Sequence, residues 1–292
     1  MAHASRLALG TVQFGLNYGI ANRSGQVPAD EVTRIIARAS AAGLDTLDTA
    51  IVYGDAERQL GEVGVAGWKV VTKLPPMPES SSVAAWVRSQ VNESIARLRV
   101  SSLYGLMLHQ PSVLLSTQGE ALFDAINELK RDGRVEKIGI SAYGPEEIEA
   151  VTTRFPLDVV QAPLSVIDRR MQESGCLAFL ARQGIEFHAR SIFLQGLLLM
   201  DAADRPPGFA RWGDLWATWH TWLSEYQLTP LTASLGYVAS DPRVSRMVVG
   251  VDSLAQLNQI IEAADGPMKT DLPAELASAD PELINPSNWS KQ

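Results

Sequence analysis

Short apolar runs alternate with longer amphipathic segments along almost the whole chain. Eight of these runs have the length of buried strands: RLALG, LDTLD, KVVTK, LYGLMLH, EKIGIS, DVVQAP, IEFHAR and SRMVVG. Buried strands of a parallel sheet read as short, nearly continuous apolar runs. Strands separated by helices pair in parallel through right-handed crossovers. The pattern therefore predicts an α/β protein built as one (β/α)8 TIM barrel domain over residues 1–292.

The first five intervals between these strands have helical periodicity. Residues 32–43 place apolar side chains on one face and end at Gly43, a common helix stop. Residues 83–100 and 120–134 repeat the pattern. Pro145 followed by two glutamates is typical of a helix start. We therefore expect a helix in each of these intervals.

The seventh interval and the carboxyl-terminal end break this regularity. Residues 192–211 are too long and irregular for a simple turn, so we expect a long loop after strand 7. The next tryptophans have helical spacing and predict a buried aromatic stripe, with a subunit contact as the alternative: Trp212, Trp216, Trp219 and Trp222. Residues 265–292 hold four prolines and no clear period. They predict an irregular tail whose Trp289 either covers the pocket or is exposed.

The composition indicates a globular protein, with 46% hydrophobic and 20% charged residues. A net charge of −8 argues against a nucleic-acid partner, which would require basic clusters. No apolar run approaches the roughly 18 residues of a membrane span, and the amino terminus lacks a signal-peptide layout. The single cysteine, Cys176, permits no intramolecular disulfide. We expect a cytoplasmic protein without a membrane partner, and the oligomeric state stays open.

Four residues that suit carbonyl chemistry follow or end neighbouring predicted strands: Asp48, Tyr53, Lys73 and His109. Because parallel barrel strands end at one rim, where barrel enzymes keep their active sites, we expect these side chains to converge. A phenol is a weak acid, and a nearby ammonium makes its proton easier to give up. Asp48 would hold Lys73, and His109 would orient the carbonyl oxygen. Each residue alone has an ordinary structural explanation, so the prediction rests on their joint occurrence.

With these motifs the chain resembles the aldo-keto reductases, NAD(P)H-dependent oxidoreductases with a (β/α)8 barrel. LALGTVQFG resembles the family's opening strand, LDTAIVYG its aspartate–tyrosine motif, VVTKL its lysine strand and LYGLMLHQP its histidine strand. KIGISAYGPEEIE, VVQAPLSVIDRR and ARSIFLQGLLL extend the resemblance over nearly the whole chain. It implies reduction of a small aldehyde or ketone, or oxidation of a sugar or other alcohol. Tyr53 would be the acid, Lys73 and Asp48 its tuning pair, and His109 the orienting group; no metal is expected.

The resemblance also implies an extended nicotinamide cofactor over the barrel rim. The absence of a G-x-G-x-x-G string agrees with that, since the family uses no Rossmann unit. Ser141 and Gln161 would hold the carboxamide, and the planar guanidinium of Arg190 would stack on the ring. All residues that the resemblance places at the cofactor are Thr11, Val12, Asp48, Ser141, Gln161, Arg190, Ser191, Leu194, Gly250, Ser253, Gln256 and Gln259.

Two positions depart from the family pattern. Ala142 stands where an asparagine often follows the serine, which removes one carboxamide contact. Residues 248–261 align with the segment that grips the adenosine 2′-phosphate, yet they offer neutral side chains where a lysine or arginine is common. Asp252 would repel that phosphate. We expect NADP(H) as the cofactor, with NAD(H) as the alternative because NADPH selectivity is weakened.

Two other functions stay open. In a barrel aldolase or isomerase, Lys73 would form a Schiff base with the substrate, which leaves Asp48 and Tyr53 without a clear purpose. Alternatively, the chain is a redox-sensing or regulatory subunit that binds the cofactor with little turnover. The sequence does not identify the substrate beyond a small carbonyl compound or sugar.

Overall fold

A computed structural model describes residues 4–78, 82–266 and 271–291 of the chain. Eight strands form a closed barrel, paired in parallel and in chain order, so the predicted (β/α)8 barrel is confirmed. The strands are β1 Leu7–Gly10, β2 Thr46–Asp48, β3 Lys69–Leu74, β4 Leu103–Leu108, β5 Val135–Ser141, β6 Val159–Pro163, β7 Glu186–Arg190 and β8 Val244–Gly250. Each of them coincides with one of the apolar runs of the sequence.

Helices cover the outside of the barrel, and those expected in the first five intervals are confirmed. The helices are α1 Val12–Gly15, α2 Ala29–Ala41, α3 Ala56–Val63, α4 Val83–Leu98, α5 Gly119–Arg131, α6 Pro145–Thr152, α7 Arg170–Glu173, α8 Cys176–Arg182, α9 Gly213–Glu225, α10 Pro230–Ala239, α11 Leu254–Ala264 and α12 Pro281–Ile284. Within the described ranges, no helix combines the length and apolarity that crossing a bilayer requires.

A small apolar layer fills the middle of the barrel. Val71, Met107 and Val159 form it, separate from the main core between barrel and helices. Because side chains alternate along a strand, residues two positions further on face the same way. Lys73 and Gln161 therefore also face the barrel interior, one step nearer to the carboxyl ends of the strands. The alternation of side chains along the strands thus places polar groups at the carboxyl-terminal mouth of the barrel.

The seventh interval contains the expected long irregular loop followed by a helix. Residues 192–211 include two short 3-10 segments, Leu194–Leu199 and Pro207–Trp212, and α9 follows. Trp219 is fully buried, and Trp216 and Trp222 are each 4% exposed, which confirms the buried stripe for these three residues. Trp212 ends the 3-10 segment before α9 and is only partly buried. The indole N–H groups of the three buried tryptophans donate to the backbone carbonyls of Leu198, Phe209 and Asp271. The stripe therefore fastens both the loop and the start of the tail.

The tail packs more tightly than its sequence predicts. Between residues 271 and 291 it forms α12 and two 3-10 segments, and it buries Leu276 and Leu283 completely. Trp289 is 8% exposed and meets Phe209 edge to face, with ring centroids 5.1 Å apart. Exposure of Trp289 was therefore a wrong expectation. Single turns bury one or two side chains each, so no longer period marks them in the sequence.

Candidate active site

A buried ion pair lies at the carboxyl-terminal mouth of the barrel. Lys73, near the end of β3, is 1% exposed, and Asp48, the last residue of β2, is 5% exposed. The Lys73 ammonium lies 2.7 Å from Asp48 Oδ2 and donates a second hydrogen bond, of 2.9 Å, to the Thr49 carbonyl. A buried ammonium requires such partners, because desolvation penalises an unpaired charge heavily.

Tyr53 and His109 lie beside this pair. The Lys73 ammonium is 5.4 Å from the centre of the Tyr53 ring. The rings of Tyr53 and His109 meet edge to face, with centroids 6.1 Å apart and an interplanar angle of 79°. The fold thus brings together the four side chains that the sequence singled out, a carboxylate, an ammonium, a phenol and an imidazole.

Two glycines that the sequence argument overlooked hold the backbone of Tyr53 in place. A Cβ atom on Gly15 would lie 1.7 Å from the Tyr53 carbonyl oxygen. Gly54, with φ of +53°, would place a Cβ 2.3 Å from the Gly15 carbonyl oxygen. The loop after β2 can therefore approach α1 this closely only because both positions lack a side chain. Proximity between loops of different strands has no local sequence signal.

The pKa values of Lys73 and His109 shift in opposite directions. Burial alone would lower the pKa of Lys73, but Asp48 and its hydrogen bond outweigh burial and raise it. For His109, burial and then the Lys73 charge lower the pKa to about 4, against the opposing effect of Asp48. At neutral pH the site therefore combines a protonated lysine with an uncharged imidazole.

A cavity of about 380 Å³ opens above this pair. Most residues predicted at the cofactor or the chemistry line it, namely Thr11, Val12, Asp48, Tyr53, His109, Ser141, Gln161, Arg190, Ser191, Gly250, Gln256 and Gln259. Lys73, Leu194 and Ser253 do not reach its wall. Lys73 lies behind Asp48, Leu194 is fully buried, and Ser253 caps α11 by accepting the Gln256 N–H. Trp289 does not line the cavity either, so it does not cover the pocket.

The polar groups of the cavity wall form one connected network. Gln161 donates a 2.6 Å hydrogen bond to Asp48 Oδ1, and Ser141 donates a 3.4 Å hydrogen bond to Gln161 Oε1. The carboxylate of Asp48 is thus shared between Lys73 and Gln161. Thr11 extends the network by donating its hydroxyl proton to the Asp48 carbonyl at 3.0 Å.

Arg190 at the end of β7 lies over an aromatic ring. Its guanidinium carbon lies 4.6 Å from the centre of the Tyr143 ring. It donates hydrogen bonds to the Ala142 carbonyl and to Ser191 Oγ, at 3.0 and 3.2 Å. Among the described residues, Arg190 Nε and Gln13 Oε1 are buried without a hydrogen-bond partner. Because both residues line the cavity, these atoms suit a polar ligand that completes their hydrogen bonding.

The loop after β7 closes one side of the cavity by contacting the loop after β1. Gln195 donates a 2.9 Å hydrogen bond to the Tyr18 hydroxyl, and its carbonyl accepts the Ala21 N–H at 3.4 Å. Ser191 and Gln195 adopt left-handed backbone, with φ of 57° and 51°. Non-glycine residues hold that conformation mainly where surrounding contacts impose it, often at binding sites.

Several cavity residues were not identified from the sequence. They are Gln13, Tyr18, Asn22, Tyr143, Ile192, Phe193 and Gln195. All lie in the segments that follow β1, β5 and β7, with Gln13 in the short helix α1. The only available signal was position, since loops at the carboxyl ends of barrel strands form the sites of such enzymes.

The chain is similar to known proteins in sequence and in fold. Residues 6–280 match the model of the aldo/keto reductase family. A 6-dehydroglucose reductase from Novosphingobium aromaticivorans is 33% identical over 44% of this chain and 46% of its own length. The NADH-specific methylglyoxal reductase of Escherichia coli is 26% identical over 61% of this chain and 59% of its own length. The chain thus aligns with about half the length of these two relatives.

Longer matches extend over most of the chain. The human aflatoxin B1 aldehyde reductase member 4 is 25% identical over 78% of this chain and 82% of its own length. Among solved structures, an aldo-keto reductase from Bacillus halodurans superposes with a TM-score of 0.73 at 20% identity, covering 91% of this chain and 88% of that one. The glycerol dehydrogenase of Gluconobacter oxydans gives 0.70 at 22% identity, with the same coverage. At these identities, the solved structures show a common fold.

Proposed function

The chain belongs to the aldo/keto reductase family, and from that premise we propose that it transfers a hydride between a nicotinamide dinucleotide and a small carbonyl compound. One observation supports this most directly. The buried Lys73–Asp48 pair, with a 2.7 Å contact, lies directly behind Tyr53 and His109 at one end of an open cavity. The reverse reaction, oxidation of a sugar or other alcohol, uses the same groups.

Tyr53 is the proposed general acid. Its phenol gives a proton to the carbonyl oxygen while the carbonyl carbon receives the hydride, which a reduced nicotinamide supplies when bound. The Lys73 ammonium, 5.4 Å from the Tyr53 ring, stabilises the phenolate that remains. Asp48 keeps that ammonium in place and charged. Such positioned proton transfer contributes about 10²–10⁴-fold to a rate.

His109 is the proposed orienting group and does not supply the proton. Because its pKa is lowered to about 4, mainly by burial, its imidazole is uncharged at neutral pH. An uncharged imidazole still offers one N–H donor. That N–H can hold the carbonyl oxygen beside Tyr53, the ring of which lies 6.1 Å away between centroids.

The remaining wall residues are proposed to hold the dinucleotide. Ser141 and Gln161, already joined to Asp48 through hydrogen bonds, offer amide and hydroxyl groups to the nicotinamide carboxamide. Arg190 offers the face of its guanidinium to the nicotinamide ring. Thr11, Val12, Ser191 and Gly250 line the path of the sugar and phosphates. The unpartnered Nε of Arg190 and Oε1 of Gln13 support a polar ligand in this place.

The proposed substrate is a small aldehyde, ketone or sugar. Relatives named 6-dehydroglucose reductase, methylglyoxal reductase and aflatoxin B1 aldehyde reductase support this class. A Schiff base on Lys73 is less well supported, because that amine is fully buried, paired with Asp48 and held protonated. A protonated amine is not a nucleophile. A regulatory subunit with little turnover would share this geometry, so turnover itself separates the two.

The test is consumption of NADH and NADPH, followed by absorbance, with a panel of aldehydes, ketones and sugars. We expect turnover, and we expect Tyr53→Phe to lower kcat by at least about 100-fold because the general acid is lost. Tyr104→Phe removes a phenol at the opposite mouth, where it contacts Glu186, and should keep kcat. Equal kcat for the wild type and Tyr53→Phe would exclude Tyr53 as the acid. A borohydride-trapped adduct on Lys73 would favour the aldolase instead.

A further inference from the structure

The cavity continues from the catalytic residues to the amino terminus of α11. Its far end is lined by Asn22 of the loop after β1 and by Asp252, Gln256 and Gln259 around the start of α11. The catalytic side chains come from β2, β3 and β4, whereas α11 follows β8. If the nicotinamide lies at Tyr53, as the proposed function requires, the adenosine half of the dinucleotide extends toward α11.

Positive charge is missing from that end of the cavity. Of the described residues that line it, Arg190 is the only lysine or arginine, and its guanidinium is bound to Ala142 and Ser191 near β7. The α11 end presents the carboxylate of Asp252 instead. A phosphate group binds strongly where charged donors meet it, and a carboxylate repels it. NADP(H) differs from NAD(H) by one such phosphate, on the 2′ oxygen of the adenosine ribose.

The amino terminus of α11 is already occupied by protein groups. Free N–H groups at a helix start ordinarily attract anions. Here the Leu254 N–H donates a 2.6 Å hydrogen bond to Glu31 Oε1, from a side chain that is 14% exposed. The Gln256 N–H donates to Ser253 Oγ, and Gln256 Oε1 accepts the Asp252 N–H at 2.7 Å. A carboxylate of α2 therefore fills the role that a ligand phosphate would otherwise take.

The Asp252 carboxylate is held in a fixed place. Asn22 donates a 3.2 Å hydrogen bond to Asp252 Oδ1, and Asn22 is itself fixed by accepting the N–H groups of Ser24 and Gly25. Within the described ranges, no hydrogen bond engages Asp252 Oδ2. Burial raises the pKa of Asp252, and no cation offsets that effect. An ionised carboxylate in this position can accept hydrogen bonds from ribose hydroxyls.

We propose that Asp252 selects NAD(H) over NADP(H). Asp252 accepts a hydrogen bond from the 2′-hydroxyl of the adenosine ribose and repels a 2′-phosphate, while Glu31 already occupies the Leu254 N–H that such a phosphate would otherwise bind. The inference rests on the proposed function and reverses the order of the two cofactors that the family resemblance implies.

Two arginines close to this region do not supply the missing charge. Arg34 forms ion pairs with Asp30 and Glu31, at 3.1 and 2.7 Å, on the solvent side of α2. Arg23 pairs with Asp204 at 3.3 Å, and its side chain is 80% exposed. Neither lines the cavity.

The first test compares dissociation constants of NADH and NADPH by isothermal titration calorimetry, which does not depend on turnover. We expect NADH to bind at least about tenfold more tightly, some 1.4 kcal/mol. Both cofactors share the pyrophosphate, so their affinity ratio isolates the 2′-phosphate. Added salt should reduce the difference in affinity between NADH and NADPH, because it screens the repulsion between the carboxylate and the 2′-phosphate. A cationic phosphate site would instead lose NADPH affinity as the salt concentration rises.

The second test uses Asp252→Ser. We expect this variant to bind NADPH about tenfold more tightly than the wild type, because the repulsion between the carboxylate and the 2′-phosphate is removed. Asp132→Ser, which removes a surface carboxylate just after the end of α5, should leave both dissociation constants unchanged.

Equal or tighter NADPH binding by the wild type would overturn the inference, as would an unchanged ratio of the two affinities in Asp252→Ser. In either case the proposed function would stand. Binding of neither dinucleotide would refute the proposed function itself.

Discussion

Lys73 carries a charge inside the barrel that protein groups must compensate. Its side chain is 1% exposed, and it donates hydrogen bonds to Asp48 and to the Thr49 carbonyl. Burying both charges of an ion pair brings little net stability, whereas removing one partner leaves the other charge uncompensated. The pair is therefore better explained by the chemistry proposed for Tyr53 than by a contribution to folding.

Replacement of Lys73 by methionine should reveal the buried charge of Asp48. We expect Lys73→Met to lower the free energy of unfolding by about 3–5 kcal/mol, and the double variant Lys73→Met/Asp48→Asn to recover part of that loss. Urea denaturation followed by circular dichroism measures both. Lys130→Met, which breaks the half-exposed pair with Asp158, should cost no more than about 1 kcal/mol. Similar losses for Lys73→Met and Lys130→Met would contradict this view of the pair.

The convergence of the four candidate side chains at one mouth could be predicted from the sequence, but the backbone that holds them could not. Asp48, Lys73 and His109 each end or follow an apolar run, so the barrel rule places them at one mouth. Gly15 and Gly54 have no such signal, because each is needed only where two separate loops touch. The parts of the site that depend on contacts between distant segments of the chain could therefore not be predicted from the sequence.

The short helix α1 acts as a support for the loop that bears Tyr53. A side chain on Gly15 would collide with the Tyr53 carbonyl oxygen, 1.7 Å from the added Cβ. Gln59 reinforces the contact from α3 by donating a 2.7 Å hydrogen bond to the Phe14 carbonyl. The position of the phenol thus depends on the junction of three elements.

Gly15→Ala should therefore impair catalysis through position rather than charge. We expect kcat to fall by about 100-fold, since a displacement of about 1 Å in a reacting group has that effect. The circular dichroism spectrum should stay that of a folded barrel. Gly67→Ala, at a position where an added Cβ meets no atom within 4 Å, is the matched control. Unchanged kcat in Gly15→Ala would show that the loop after β2 can shift freely.

Elements with a sustained period were predictable, and those of a single turn were not. The eight strands and the helix of Trp216, Trp219 and Trp222 follow from their spacing. In the tail, Leu276 and Leu283 are fully buried in separate short segments. Their burial is imposed by contacts such as the indole N–H of Trp222 on the Asp271 carbonyl.

The two mouths of the barrel hold different features. The carboxyl-terminal mouth holds the cavity, whereas the amino-terminal mouth holds a network centred on Glu186 at the start of β7. Lys137 donates to Glu186 at 2.6 Å, and Tyr104 donates to the same carboxylate at 3.0 Å. Residues at this mouth of a barrel contribute to stability rather than to chemistry.

Acid should weaken this second network. Burial alone would raise the pKa of Glu186, but contacts with His188, Lys137 and Tyr104 lower it from 4.5 to about 2. A lowered carboxyl pKa stabilises the fold above pH 4.5, and that contribution is lost as pH falls toward 2.

We expect Glu186→Gln to lower the free energy of unfolding at neutral pH by about 1–2 kcal/mol, after allowance for solvent screening. The variant should also show a shallower decline between pH 4.5 and 2, in thermal or urea denaturation, with kcat unchanged. Glu136→Gln, an exposed neighbour on β5, serves as the control. A parallel decline in both variants would disprove the role of Glu186.

The lysines whose side chains the structure describes are distributed unevenly between the two mouths. Lys73 is sealed inside the barrel, whereas Lys69, Lys130 and Lys137 lie at the starts of β3 and β5 or at the end of α5, with side chains 44%, 38% and 22% exposed. Amine-reactive reagents would therefore reach these three and spare Lys73. A protein attached to a resin through these three amines would be oriented with its cavity facing the solution.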